Sequence, residues 1–302
     1  MVRALAFVAV ALVVCVAGAS PLRAEPPDAR GDAGPQEGGV DPETDGTTAI
    51  ELLPGDELFA PLIADPNWPR FSIAHEWRFG TDAFNRAGQV SFGESVAFVR
   101  GAITETSAWE VGLQAQLDAL FDLTTRSLDL ANEDYFVGLV ASYQTGRVTT
   151  QLRIAHVSSH VGDEYLLSVG GGRSSVTYET LDVLTSWDAT DSFRIYGGGG
   201  VYLNPSPDFD PVFFQLGAEW RSLSGLAQDR IRPIAGLDLQ IRQEGDWIPD
   251  VAVLLGLRLS ESREEETRHV DLFARAYHGR SPEGQFFRQT VDLVGIGLRL
   301  GF

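Results

Sequence analysis

Val294-Gly-Ile-Gly-Leu-Arg-Leu-Gly-Phe302 closes the chain. Laid out as an extended strand, it puts Val294, Ile296, Leu298, Leu300 and Phe302 on one face and Gly295, Gly297, Arg299 and Gly301 on the other. One side is wholly apolar, with glycines and a charge behind it. That suits a wall with lipid outside and a tight polar interior. The pattern recurs upstream. In 109–121, Trp109, Val111, Leu113, Ala115, Leu117, Ala119 and Phe121 alternate with Glu110, Gly112, Gln114, Gln116 and Asp118. A tilted strand crosses a bilayer in about 9–11 residues, so this run is long enough to span one. In 231–242, Leu237, Leu239 and Ile241 face away from Asp238, Gln240 and Arg242.

Twelve segments read as strands: 70–79, 93–101, 108–121, 134–143, 147–158, 175–187, 192–203, 211–223, 231–242, 249–260, 267–278 and 288–302. The early connections alternate between long (80–92, 122–133, 159–174) and short (102–107, 144–146, 188–191). Long outer loops, short periplasmic turns and an even strand number describe an all-β, antiparallel transmembrane barrel. The competing class is a soluble β-sandwich, which also has short, evenly spaced strands. Strand length, loop asymmetry and the aromatic terminus favour the barrel. Gly297, Leu300 and terminal Phe302 resemble the C-terminal signal that outer-membrane barrels present to their assembly machinery. The expected location is therefore the bacterial outer membrane, with its lipids and that machinery as partners.

Four stretches are expected. Residues 1–24 read as a secretory signal: Arg3 precedes an apolar run too short to span, and cleavage sites follow Ala19 and Ala24. Cys15, the only cysteine, lies inside that run after bulky Val14, which argues against lipidation and leaves the mature chain without disulfides. Residues 25–55, rich in Pro, Gly and acids, read as a disordered periplasmic tail. Residues 56–69 are apolar but broken by prolines, and are expected to pack under or across the barrel mouth. Residues 70–302 form the barrel. The net charge is −19, and nucleic-acid binding, which needs a positive footprint, is excluded.

Inward positions carry both signs: Glu110, Asp118, Arg153, Arg194, Glu219, Arg221, Asp238, Arg242, Arg258, Asp271 and Arg275. A single-sign ring would suggest an ion-selective pore, whereas mixed signs with Tyr196, Phe273 and Tyr277 suggest a lumen filled by ion pairs.

One constellation could carry chemistry. Val148, Leu152 and Ile154 set the lipid-facing side of the fifth segment, and His156 and Ser158 continue it. At ~2.4–2.7 Å of height per tilted residue, His156 lies roughly 20 Å up a wall about 25 Å tall. On the next segment, counting outward from Trp187 through Thr185, Val183 and Leu181 brings Glu179 to the same height. Serine, histidine and carboxylate form the arrangement that activates a weak hydroxyl nucleophile: Ser158 attacks, His156 takes the proton and Glu179 fixes the tautomer. His160, Asp163 and Glu164 offer ligands for calcium or zinc, and calcium could assist the oxyanion. The bland reading of 156–164 is an ordered outer loop whose polar side chains satisfy its own backbone. His75 also sits on an apolar face without an evident partner.

The His156-x-Ser158 pair with an acid on the following strand resembles two outer-membrane acyl-hydrolase families, the phospholipase A barrels and the lipid A deacylases. By that resemblance the activity is hydrolysis of lipid acyl esters. Those families usually carry Asn directly after the serine, where this chain has Ser159, and a shorter connection before the third residue. A wider set of residues is similar to an uncharacterised bacterial barrel family, domain of unknown function 1207: Leu58-Phe-x-Pro-Leu-x-Ala-Asp-Pro66, Ser158-Ser-His-x-Gly-Asp-Glu164 and Arg194-x-Tyr-Gly-Gly198. That likeness covers about 56–302 and implies a barrel without an assigned activity. The alternative to the hydrolase is a non-catalytic barrel, either a narrow channel or a structural or adaptor protein. Oligomeric state is left open.

Overall fold

The computed structural model describes residues 50–80, 84–169, 175–261 and 268–301. The expected signal segment, most of the expected tail and Phe302 lie outside the described residues. A short strand β1 (Ile50–Leu52) comes first. Twelve longer strands follow: β2 (Phe71–Phe79), β3 (Arg86–Thr104), β4 (Ser107–Asp122), β5 (Asp129–Thr145), β6 (Val148–Val161), β7 (Ser175–Asp188), β8 (Phe193–Ser206), β9 (Val212–Arg221), β10 (Ile231–Arg242), β11 (Pro249–Ser260), β12 (His269–Arg280) and β13 (Thr290–Gly301). An α-helix, α1 (Asp163–Val169), lies between β6 and β7. Every neighbouring pair is antiparallel. β13 pairs with β2 (Arg299 opposite Ser72), and β3 pairs with both β2 and β4, so the twelve strands close into a barrel. Closure satisfies every strand edge without water, as a hydrocarbon surround requires. Apolar side chains such as Leu152, Ile154, Leu181 and Ile296 point outward and stay exposed, while Glu76, Gln114, Glu219 and Asp271 point inward and are fully buried.

All twelve expected segments are strands. The second is longer than its pattern suggests, starting at Arg86 rather than 93, and the fourth starts at Asp129. The connections 80–92 and 122–133 are correspondingly shorter than expected. In β3 the pairing skips a residue between Ala97 and Val99, a bulge that exchanges the faces of alternate residues. Ala87, Gln89 and Ser91 face inward before it, and Arg100 faces inward after it, opposite Glu110.

Residues 56–69 do not cover the mouth; they enter the lumen. Phe59, Leu62, Ile63 and Trp68 are essentially inaccessible. Phe59 stacks on Trp68 (centroids 5.6 Å apart), and both pack with Leu62 against the inward Leu184 and Tyr196. Ile63 and Ala64 meet Ala74, Ile234, Leu254 and Phe273. Each large side chain buried this way contributes about 1.5–3 kcal/mol. The plug backbone cannot pair with itself, so the wall satisfies it. Ile63 N–H donates to Glu219 Oε1 (2.5 Å), Arg70 N–H to Gln116 (2.8 Å), Arg194 to the Ala60 carbonyl (2.9 Å) and Arg299 to the Ile63 carbonyl (3.0 Å). The end of the expected tail is structured too. β1 pairs with residues 99–101 of β3, along the same edge that β2 uses higher up. The plug is thus the stretch that leaves the wall after Leu52 and rejoins it at Phe71.

The mixed-sign interior is realised as ion pairs. Asp271 joins Arg258 (2.9 Å) and Arg299 (2.5 Å), Glu219 joins Arg194 (3.2 Å) and Arg221 (3.0 Å), and Arg242 joins Asp250 (2.5 Å). The outer end is closed by 281–289. There Glu283 pairs with Arg78 (2.6 Å), Gly284 N–H donates to Asp134 (3.1 Å), and Phe286 packs edge-on against Phe84 and Tyr165 of α1.

Two measurable consequences arise here. The inward Gly217 lies under the Tyr196 ring, whose hydroxyl donates to Asp238 (2.6 Å), and a Cβ at Gly217 would overlap that ring. Gly217→Ala is expected to lower stability by about 1–3 kcal/mol, read as a lower urea midpoint. In the plug, burial pushes the Glu57 carboxyl up to about 7. A hydrogen bond from Ser95 opposes the shift, and the nearby carboxylates of Glu94, Glu110 and Asp56 add to it. A raised acid means the folded state holds the proton over a range in which the unfolded chain has lost it. Stability should therefore fall as pH rises from the ordinary carboxylate range through about 7. Glu57→Gln should flatten that part of the pH–stability curve, and an unchanged slope would contradict the assignment.

Candidate functional site

β6 and β7 are regular strands without a bulge between them, so register alone decides which side chains meet. His156 lies directly opposite Glu179, and both point to the lipid side. His156 Nδ1 is 3.2 Å from Glu179 Oε1, and both side chains are partly exposed (49% and 39%). The other Glu179 oxygen accepts a hydrogen bond from Asn204 of β8 (3.4 Å), which steadies the carboxylate from its far side. With Nδ1 committed to the acid, Nε2 is the nitrogen left for chemistry. It has no hydrogen-bond partner among the described residues.

Ser158 follows two residues on, on the same face, with Tyr135 and Thr177 across from it on the flanking strands. The structure brings His156 and Glu179 into direct contact. It places Ser158 beside them on the strand without a hydrogen bond between its hydroxyl and the imidazole. Catalytic contacts of this kind commonly tighten only when substrate is present. An open apolar groove of about 560 Å³ runs over the outer wall of β3 to β6, among Phe92, Leu113, Ala115 and Val137, and His156 sits in its lining.

The expected metal set does not assemble. β6 continues through Val161, which keeps His160 on the outward face, where its ring meets Tyr135 edge-on at 6.0 Å. Asp163 and Glu164 belong to the exposed first turn of α1. Among the described residues no three His, Cys, Asp or Glu side chains converge as a metal site. His75 does have a neighbour, Trp77, at 4.5 Å between ring centroids.

The sequence reading missed a second outward pair. His278 of β12 faces Asp292 of β13, with Nδ1 2.5 Å from Oδ1. The signal was available: both lie on the apolar faces of their strands. Two residues on from His278 stands Arg280 rather than a serine. A histidine–carboxylate pair alone is thus a repeated feature of this wall, and Ser158 is what distinguishes the first.

Residues 9–302 match the family model described as "Protein of unknown function (DUF1207)". No curated protein matches the chain in sequence. Among solved structures it is similar to outer membrane phospholipase A from Escherichia coli, at 13% identity over 82% of this chain and 93% of that one, with a TM-score of 0.52. It is also similar to the calcium-bound dimer of the Salmonella typhi outer membrane phospholipase, at 11% identity over 78% and 93% of the two chains, TM-score 0.52. The KdgM porin aligns at 8% identity over 77% and 98%, TM-score 0.44. At these identities the likeness to the two phospholipases is one of fold.

Proposed function

The chain belongs to the DUF1207 family of proteins of unknown function, and from its own geometry we propose that it hydrolyses acyl esters of lipids at the outer wall of an outer-membrane barrel. The observation that carries this reading is the contact of His156 Nδ1 with Glu179 on the lipid side, with Ser158 two residues on along the same face. Ionisable side chains facing a bilayer are costly, which makes this pair, with a serine beside it, a candidate site.

In this mechanism Glu179 accepts the Nδ1–H bond and so leaves the Nε2 lone pair free. Nε2 takes the Ser158 proton as Oγ attacks the ester carbonyl carbon. The carbonyl–oxygen bond to the lyso-lipid breaks, and the leaving alkoxide takes the proton from imidazolium. Water, deprotonated by the same nitrogen, then cleaves the acyl-serine to release fatty acid and restore the hydroxyl. The groove beside His156 offers apolar surface to the acyl chain. His160, Asp163 and Glu164 do not fit a calcium site, so no step runs through the metal.

The filled lumen weighs against the channel alternative: the plug and the loop 281–289 occupy it from both ends. The deciding experiment gives the mature chain, folded in detergent, phospholipid in mixed micelles and measures fatty-acid and lyso-lipid release. Product from the wild type and none from Ser158→Ala supports the proposal. Silence from the folded wild type, or equal activity in the variant, removes it.

A further inference from the structure

We propose that the chamber inside the barrel, between the plug and the outer loop 281–289, binds a small organic ammonium ion. The chamber has a volume of about 130 Å³. That is close to the cavity of about 150 Å³ that accepts benzene in another protein. Asp65 and Asn67 of the plug form its floor, and Pro282 and Gly284 of the outer loop its roof.

The charges around it do not balance. Asp65, Asp118 and Asp134 all line the chamber, and among the described residues none of them is in an ion pair. Each is met by neutral donors instead. Asp65 accepts from Gln215 (3.1 Å), Gln240 (3.2 Å) and Asn67 N–H (2.9 Å), Asp118 from Ser91 and Gln116, and Asp134 from Gly284 N–H (3.1 Å). Two arginines share the lining, and both are already neutralised: Arg153 by Asp182 (3.2 Å) and Arg242 by Asp250 (2.5 Å). The nearby Arg70 guanidinium donates to the carbonyls of Trp68 and Asp65 and keeps its positive charge, so it offsets one of the three carboxylates. Three carboxyl groups against one unneutralised guanidinium leave the chamber with an excess of acid, which a bound cation would offset.

Three observations bear on the occupant. Thr180 lines the same chamber, is 7% exposed, and its hydroxyl has no hydrogen-bond partner, so a buried polar group awaits an occupant. The carboxylates are spread around the chamber rather than converging, since no three-ligand metal set exists among the described residues. A bare metal ion could not reach them all. Part of the remaining wall is aromatic: Tyr178, Tyr202 and Phe213 form a chain of rings with centroids 5.1 and 4.7 Å apart. Carboxylates around aromatic faces are the environment in which an alkylammonium is held by charge and by the ring quadrupole together.

The test is calorimetric titration of the mature, full-length chain, folded in detergent, with tetramethylammonium. Its neutral comparator is tert-butanol, and sodium chloride holds ionic strength constant. Saturable binding about ten-fold or more tighter for the ammonium than for the alcohol is expected. Asp118→Asn should weaken it about ten-fold, and Thr180→Val several-fold, in protein that keeps its heat-modifiable migration. If Asp118→Asn does not fold, Thr180→Val carries the test. No saturable heat, equal binding of the alcohol, or unaltered affinity in the folded variants would show a chamber that holds only water, and the proposal would fall.

Discussion

Ser158→Ala is expected to cut lipid ester hydrolysis by a factor on the order of 10³ or more, with the barrel folded and its heat-modifiable migration unchanged. The hydroxyl supplies the attacking oxygen for the His156–Glu179 pair. His156→Ala should cost about as much, and the double variant no more than either single one, because residues that act as one unit are not additive. Glu179→Gln should sit between, since Gln can still hold the imidazole but does not stabilise its cation. His278→Ala is the control. It removes the other outward histidine, whose pair with Asp292 lacks a serine, and should leave the rate unaltered. Loss of activity in His278→Ala equal to that in His156→Ala would point to the wall as a whole rather than to one site.

The second large effect concerns Glu219. This carboxylate is buried against two arginines, Arg194 and Arg221, and accepts the Ile63 N–H of the plug. Glu219→Ala leaves buried guanidinium and a buried amide without their acceptor. Breaking a buried pair by removing one partner costs about 3–5 kcal/mol. The cost should appear as a lower urea midpoint. It should also loosen the plug, so that planar bilayers silent with the wild type show conductance events with the variant. Glu219→Gln, which keeps an oxygen for Ile63, should be milder on both counts. An unaltered midpoint in Glu219→Ala would mean the plug is held by its apolar contacts alone.

What could be read without coordinates follows from period and register. Alternation in 109–121 or 231–242 is a local property, and those strands were legible to within a few residues. Residues 86–92 were not, because Arg86 and Gly88 interrupt the outward apolar face there and the bulge near Phe98 shifts the alternation further on. The plug was legible as apolar and proline-broken. Its burial depends on a lumen assembled from distant strands, which no local pattern encodes. His156 and Glu179 could be matched because both were counted eight residues from the same rim, and an antiparallel register without bulges preserves such a count. The metal reading rested on spacing alone, and spacing did not foresee that β6 runs on to Val161 while α1 turns Asp163 and Glu164 into its exposed first turn.

The most direct test of the central claim is covalent trapping. The folded mature chain is treated in micelles with a long-chain alkyl fluorophosphonate, and the modified residue is located by peptide mass spectrometry. The account predicts a single adduct on Ser158 that disappears in His156→Ala. No adduct, or labelling of Ser158 that is indifferent to His156, would contradict it.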